Sequence, residues 1–540
     1  MGWGRSTIKQ TNKAGQETSR NDVDVALAAM SADDLREVIR EMMLDLDDRA
    51  HSRVVNWIVN RAARNGSGWV PAALDGTDVN EVVAFAAAAG RVGYADPSDV
   101  DERLRGGVAA FLSKQYAAAH QIFGALLRPI AKGEVDLGQH AMIEEVLGVD
   151  PNECAIQYVV SAYMTTDPAR REEAVLMAIH EMRDVGYFHE PIREMEGVAV
   201  EPLPGLDDFL TQWRVIVESE AASEHSTDWD REVDRWLREV VARLEGSDGL
   251  ARLARSTKRA EYLRAWCESL AAAHDWHGAL SAYEEAAEIM TGAGYARAEF
   301  LDGAALAAQE AGGQDLSSWL ERAWRAESTM ARLCRWLGAA RGGESIHDRV
   351  TQALEACPEQ AERQRAFLYV LQGDVEQAAS LLAHAPALGW SRDDHPGHLI
   401  FPLLQRLLGG DDVTGQTMAL PRQDLVIDDL DLLTSGSDDE LRLATPGVED
   451  ILRDAGVKSV SSAKSREALI AAMRMAAETR VAGVTDHKRR RQYGHAASLV
   501  AACVACDGSR ETSLWVRTLR EKYRRFPAFR AELDERLGSA

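Results

Sequence analysis

Apolar side chains recur along this chain at steps of three and four, and no sustained run of β-branched residues alternates with the period of two that a half-buried strand needs. In the stretch from Gly107 to Leu127, Gly107, Ala110 and Phe111 precede a polar turn. Tyr116, Ala119, Phe123 and Leu126 then follow at steps of three, four and three. That spacing draws one apolar stripe along a helix, with Ala placed where a second helix must approach closely. The same register returns at Cys267, Leu270, Trp276, Ala279, Tyr283 and Ala286, and again at Ala366, Tyr369, Gly373, Ala378, Leu382 and Ala385. A weaker copy runs through Tyr493, Ala496, Val500 and Cys503. Each copy predicts a pair of antiparallel helices. The apolar pieces Val198 to Val200 and Leu425 to Ile427 are too brief for a sheet, so the expected fold class is all-α.

At these residues the chain resembles the tetratricopeptide-repeat family, whose order of small residue, aromatic, Ala, aromatic, Ala each copy partly matches. The copies begin near residues 107, 267, 366 and 493, intervals that are not consistent multiples of the roughly 34-residue family repeat. The resemblance therefore implies an irregular α-solenoid of helical hairpins rather than a regular superhelix. Any antiparallel helix pair with alanines at its contact would show part of the same pattern. Stacked hairpins of this kind present a concave surface to a protein or peptide. On that reading Tyr116, Phe123, Trp276 and Tyr283 build hairpin cores, and the exposed face of each first helix does the binding.

Outside the repeats, Ser31 with Asp33 and Asp34 predicts a helix start, because a serine oxygen and early carboxylates satisfy free amides at the positive helix end. Leu35, Val38, Ile39, Met42 and Met43 form its expected apolar face. Val54, Val55, Ile58 and Val59 form that of the next helix, and Val82, Val83 and Phe85 follow in a third. Tyr158 to Tyr163 and Ala174 to Met182 predict a further pair, separated by the break at Asp167 and Pro168. Pro191, Pro202 and Pro204 mark the stretch from Gly186 to Gly205 as the expected break in the helical array. Beyond it, Trp229, Val233, Trp236, Val240 and Leu244 share one helix face.

Length and charge divide the chain further. A chain of 540 residues exceeds a single compact core. Five segments are expected: a polar, disordered 1–22, an N-terminal helical domain 23–186, a helical repeat array 187–408, an acidic linker 409–446, and a small separate helical module 447–540. The linker carries Asp424, Asp428, Asp429, Asp431, Asp438, Asp439 and Glu440 against only Arg422 and Arg442. The C-terminal module reverses this balance, with 18 Lys and Arg against 12 Asp and Glu. The net charge of −25 argues against nucleic-acid binding by the whole chain. No stretch reaches the roughly 18 apolar residues of a membrane span, and the polar N-terminus lacks a signal-peptide core. Six scattered cysteines fit reduced thiols, so a cytoplasmic protein is expected, bacterial in its Ala- and Arg-rich style.

Candidate chemistry is sparse. Asp394, His395 and His398, with Asp393, are the candidate metal ligands, although a helix starting at the proline after His395 explains the same residues. Cys503 and Cys506 form a C-x-x-C without a second pair or neighbouring strands, so they read as small packing residues. No phosphate loop, metalloprotease helix motif or nucleophile elbow is present. The candidate partner-binding residues are two basic clusters, Lys488, Arg489, Arg490 and Arg491, and Arg517, Arg520, Lys522, Arg524 and Arg525. They suit a solvated helix face, an acidic protein surface such as the linker, or phosphates. Trp515, Tyr523 and Phe526 interleave with the second cluster. With Leu519 they also fall at helical steps of four, four and three.

The expected function is a non-enzymatic scaffold or adaptor, without a cofactor, that binds a protein or peptide. The alternatives are a regulatory protein whose acidic body restrains a basic C-terminal effector until the linker is cut or rearranged, and a metal-dependent enzyme.

Overall fold

The structure, a computed structural model, describes residues 23, 25–64, 68–72, 76–138, 143–223, 231–313, 315–339, 345–392, 394–409 and 443–538. The polar 1–22 segment, residues 410–442 of the acidic linker, Trp229 and Asp393 lie outside the described residues. Among those described, helices and turns make up the whole fold, and the sole β-bridge is an isolated parallel one between Tyr94 and Asp136. The chain forms two compact units, Met1–Gly249 and Leu250–Ala540.

The first unit holds α1 (Ala32–Leu44), α2 (Asp48–Arg64), α3 (Gly76–Val92), α4 (Pro97–Leu112), α5 (Tyr116–Ala131), the single turn α6 (Ile143–Val146), α7 (Pro151–Thr165), α8 (Arg171–Met182), α9 (Pro191–Val198), α10 (Leu206–Ser223) and the start of α11 (Glu232–Thr257). Local chemistry sets the helix starts. Ser31 and Asp34 form a reciprocal capping box on α1, with bonds of 3.1 and 3.2 Å, each satisfying an amide that the first turn leaves free. Pro97, Pro151 and Pro191 occupy first-turn positions, where a missing N–H costs nothing.

The hairpin of α4 and α5 shows why the sequence pattern begins with a small residue. A Cβ on Gly107 would lie 2.7 Å from the Phe123 ring, so only glycine lets that ring reach the core. Phe111 and Phe123 are fully buried, and Phe111 meets Tyr116 edge to face at 5.6 Å. Behind this pair α7 is buried on nearly all sides, packed by α4, α5, α8 and α9. Trp213 on α10 and Trp236 on α11 close the other end of the unit's core, with ring centres 6.0 Å apart. Glu239 is buried beside them and accepts the Ile192 and Arg193 amides at the start of α9 (3.2 and 2.7 Å). Burial pushes its carboxyl up to about 7, against the lowering effect of those two bonds. Helix α11 loses helical geometry at Gly246 (φ 61°, ψ −151°).

The second unit continues through α12 (Ala260–Ala272), α13 (Trp276–Ile289), α14 (Gly294–Glu310), α15 (Leu316–Ala326), α16 (Met330–Gly338), α17 (Ile346–Ala356), α18 (Glu362–Gln372), α19 (Val375–His384) and α20 (Gly397–Gly409). Each of these packs on its sequence neighbour. Gly303 repeats the logic of Gly107, since a Cβ there would sit 2.3 Å from the Tyr283 ring. A buried polar core ties α14 to α16, with Asp302 accepting from Arg332 at 2.7 Å, while Trp324 and Trp336 stack at 5.1 Å.

The last helices are α21 (Val448–Asp454), α22 (Ala463–Asp486), α23 (Tyr493–Cys506), α24 (Arg510–Lys522) and α25 (Pro527–Gly538). Residues 447–540, expected from their charge to stand apart, instead share a close interface with α19 and α20. Helix α22 lies along α19, and a Cβ on Gly483 would meet Ala387 at 2.6 Å. The Val460 amide donates to the Leu407 carbonyl, and Arg466 donates to that of Leu408. Upstream of α21, Arg335 donates to Thr445 at 2.7 Å and Pro446 packs over Gly338. Charge reports the solvent face of these helices; the buried face that joins them is apolar.

Candidate functional site

Helix α2 buries the wrong residues for an ordinary amphipathic helix. Val54, Val55 and Val59 are only half-buried and Ile58 is exposed, whereas Ser52, Asn56 and Asn60 are nine-tenths buried or more. These three and Arg64 stand four residues apart, so they form one polar row on one face. The inversion has a cause in the elements opposite. Asp101 on α4 is buried and accepts the Ser52 hydroxyl at 2.9 Å with one oxygen and the Val149 amide at 2.6 Å with the other. Gly148 permits this approach, because a Cβ there would lie 2.6 Å from that of Ser52. Farther along, Glu153 on α7 accepts from Asn60 at 3.3 Å and pairs with Arg64.

Between these fixed ends the row is incomplete. The Asn56 side-chain nitrogen is buried without a hydrogen-bond partner among the described residues, and it lines a hollow of about 360 Å³. Arg49 and Arg53 close one end by donating to the Glu144 carbonyl (2.6 and 3.2 Å). Trp57 forms the lip and is 62% exposed. A second hollow shares Trp57, Asn60 and Glu153 with the first and is also lined by Arg64 and Gly197; the Arg64 Nε is another buried donor without a partner among the described residues. The two together make a groove along α2. Reading apolar periodicity alone misses it; polar residues at 52, 56, 60 and 64 in a helix otherwise rich in Val and Ile were the available signal.

The candidates from the sequence lie in the second unit. His395 is buried, accepts the Gly397 amide on Nδ1 at 2.9 Å and donates from Nε2 to the Pro386 carbonyl at 2.8 Å, so both ring nitrogens are engaged. Asp394 pairs with Arg392 at 2.9 Å. No group of three or more His, Cys, Asp or Glu among the described residues is arranged to hold a metal ion. Instead His395, His398 and His495 surround Trp390 at ring distances of 5.3, 6.2 and 5.1 Å, with the buried Arg480 over the same ring. Burial, then the Arg480 charge, pushes His495 down to about 3, and burial lowers His395 and His398.

The basic clusters stay exposed but occupy different turns. Lys488, Arg489, Arg490 and Arg491 lie between α22 and α23, whereas Arg517, Arg520, Lys522, Arg524 and Arg525 lie on α24 and the turn after it. Arg520 is paired with Asp534 and Arg524 with Glu521, both at 2.9 Å. Tyr523 and Leu519 are buried, Tyr523 meets Phe529 edge to face, and Trp515 donates to Glu478. Tyr523 and Leu519 thus pack between helices, while Trp515 and Phe526 stay half-buried. Cys503 is buried and Cys506 half-buried, both as free thiols, and burial pushes Cys506 up to about 11, away from thiolate chemistry.

Comparison with known proteins returns no match: no family model, no curated protein and no solved structure is similar to the chain.

Proposed function

We propose that this protein is a non-enzymatic interaction scaffold, an irregular tetratricopeptide-like array of helical hairpins whose partner is a protein, acting in a bacterial cytoplasm. The observation that carries this reading is the placement of exposed apolar surface. Ten of the nineteen large apolar side chains that stay exposed among the described residues fall between residues 23 and 70. Helix α1 has an apolar stripe but buries no residue, leaving Ile39, Met42 and Leu44 41, 62 and 84% exposed. Monomeric surfaces rarely concentrate apolar side chains in this way unless something covers them. Hairpin aromatics such as Phe111 and Phe123, in contrast, are consumed by packing.

The test is crosslinking in the native cell, comparing the parent with a Met42→Asp, Leu44→Asp double variant. Loss of a stoichiometric protein adduct with retained helicity supports the scaffold reading. An unchanged set of adducts, or none in either case, removes it. The restrained-effector alternative would require α22 to leave α19 and Thr445 to leave Arg335, breaking buried contacts. For that reason the scaffold is preferred.

A further inference from the structure

We propose that the groove along α2 binds an extended peptide segment of the partner, its backbone held by Asn56 and Asn60 and one of its side chains laid on Trp57. This rests on the scaffold reading and gives it a site and a chemistry. Two buried donors in the groove, Asn56 Nδ2 and Arg64 Nε, have no acceptor among the described residues. An unmet donor of this kind carries a desolvation cost that a ligand carbonyl oxygen would remove. A side-chain amide such as that of Asn56 can donate to a carbonyl and accept the N–H of the same residue, as a neighbouring strand would.

Spacing selects an extended occupant. Asn56 and Asn60 are one helical step of four apart, about 6 Å along the axis, and alternate residues of an extended chain repeat at about 6.6–6.8 Å. Both asparagines can therefore read the same side of one peptide. The Asn60 amide would exchange its present bonds to Glu153 and Arg64, which are long at 3.3 and 3.4 Å, for bonds to the peptide. Trp57 stands between them in sequence and lines both hollows, which places its exposed ring beside the intervening peptide residue. The groove follows α2 from Arg49 to Arg64, about 22 Å at 1.5 Å per residue, enough for six or seven extended residues. At its Arg49 end, Glu144, Glu145 and Asp150 have no ion-pair partner among the described residues, while Arg49 and Arg53 are spent on a backbone carbonyl. A Lys or Arg of the peptide is expected there.

The full chain is panned against a linear 12-residue random peptide library, and the most enriched peptide is synthesised and titrated by fluorescence anisotropy. The expected result is a peptide carrying Lys or Arg, without a helical apolar period, whose affinity falls about tenfold in Asn56→Ala and about thirtyfold in Trp57→Ala. Arg490→Glu, on the basic turn of the second unit, should leave it unchanged. Because the Asn56 nitrogen has no partner among the described residues, Asn56→Leu should abolish binding while thermal stability stays level or rises; a merely structural amide would lower it. Equal affinity for all variants, peptide-induced amide protection confined outside 49–64 and 144–153, or enrichment of helix-forming peptides alone overturns the groove while leaving the scaffold standing. So does a failure to enrich any peptide above an unrelated helical protein. Loss of the α1 crosslinks with intact peptide binding would separate the two readings from the other side.

Discussion

Asp101 carries more of the groove than any residue that lines it. Its two oxygens hold Ser52 on α2 and the Val149 amide before α7, and Arg105 pairs with it at 3.2 Å. Asp101→Ala would leave a buried hydroxyl and a buried amide without acceptors, a loss of about 2–4 kcal/mol. Amide exchange across 49–64 should accelerate accordingly, while the second unit stays at parental rates; unchanged exchange would show that α2 is held by its half-buried valines instead. Sequence reading could not reach this residue. Asp101 sits in the second turn of α4, and nothing local marks one aspartate as buried when its partners lie about 50 residues away on either side. Asn56 was hidden for a related reason, since apolar periodicity assigns faces by where Val and Ile stand and α2 buries the face they leave.

At the scale of elements, more was legible. The start of α1 could be read from Ser31, because capping is local chemistry between residues two or three apart. The hairpin of α4 and α5 could be read too, from the small residue that opens it and the aromatic it admits. Gly107→Val tests that pairing directly. Its Cβ alone would come within 2.7 Å of Phe123, and overpacking of this kind costs about 1–3 kcal/mol, or more where the backbone cannot yield. The first unit should then melt several degrees lower, and Phe123→Leu in the same chain should restore part of the loss. Additive losses from the two substitutions would mean that they do not share one packing contact. What periodicity cannot supply is which stripe meets which. Helix α22 shows the limit, because its basic neighbourhood predicted a detached module although Gly483 gives it a close seat on Ala387.

Across the whole molecule, the two units carry buried titratable groups of opposite sign. In the first, Glu239 has its folded pKa raised to about 7 from the ordinary 4.5. Its contribution to stability is therefore complete below pH 4.5 and is lost as pH rises through 7, an effect of about 3 kcal/mol. In the second, His495 is depressed to about 3 from 6.5, facing Arg480 and His398 around Trp390. The unfolded chain then takes up the proton first as pH falls, so this contribution is complete above pH 6.5 and declines by about 2 kcal/mol by pH 5. Acidification from pH 7.5 to 5 should consequently strengthen the surroundings of Glu239 and weaken those of Trp390. Unit-resolved amide exchange at the two pH values measures this, and a single melting temperature would not, because opposing shifts in two units partly cancel in it. Glu239→Gln should flatten the first response alone and His495→Phe the second alone. If either substitution flattened both, the stabilities of the two units would be coupled, and the division at Gly249 would be one of packing and not of folding.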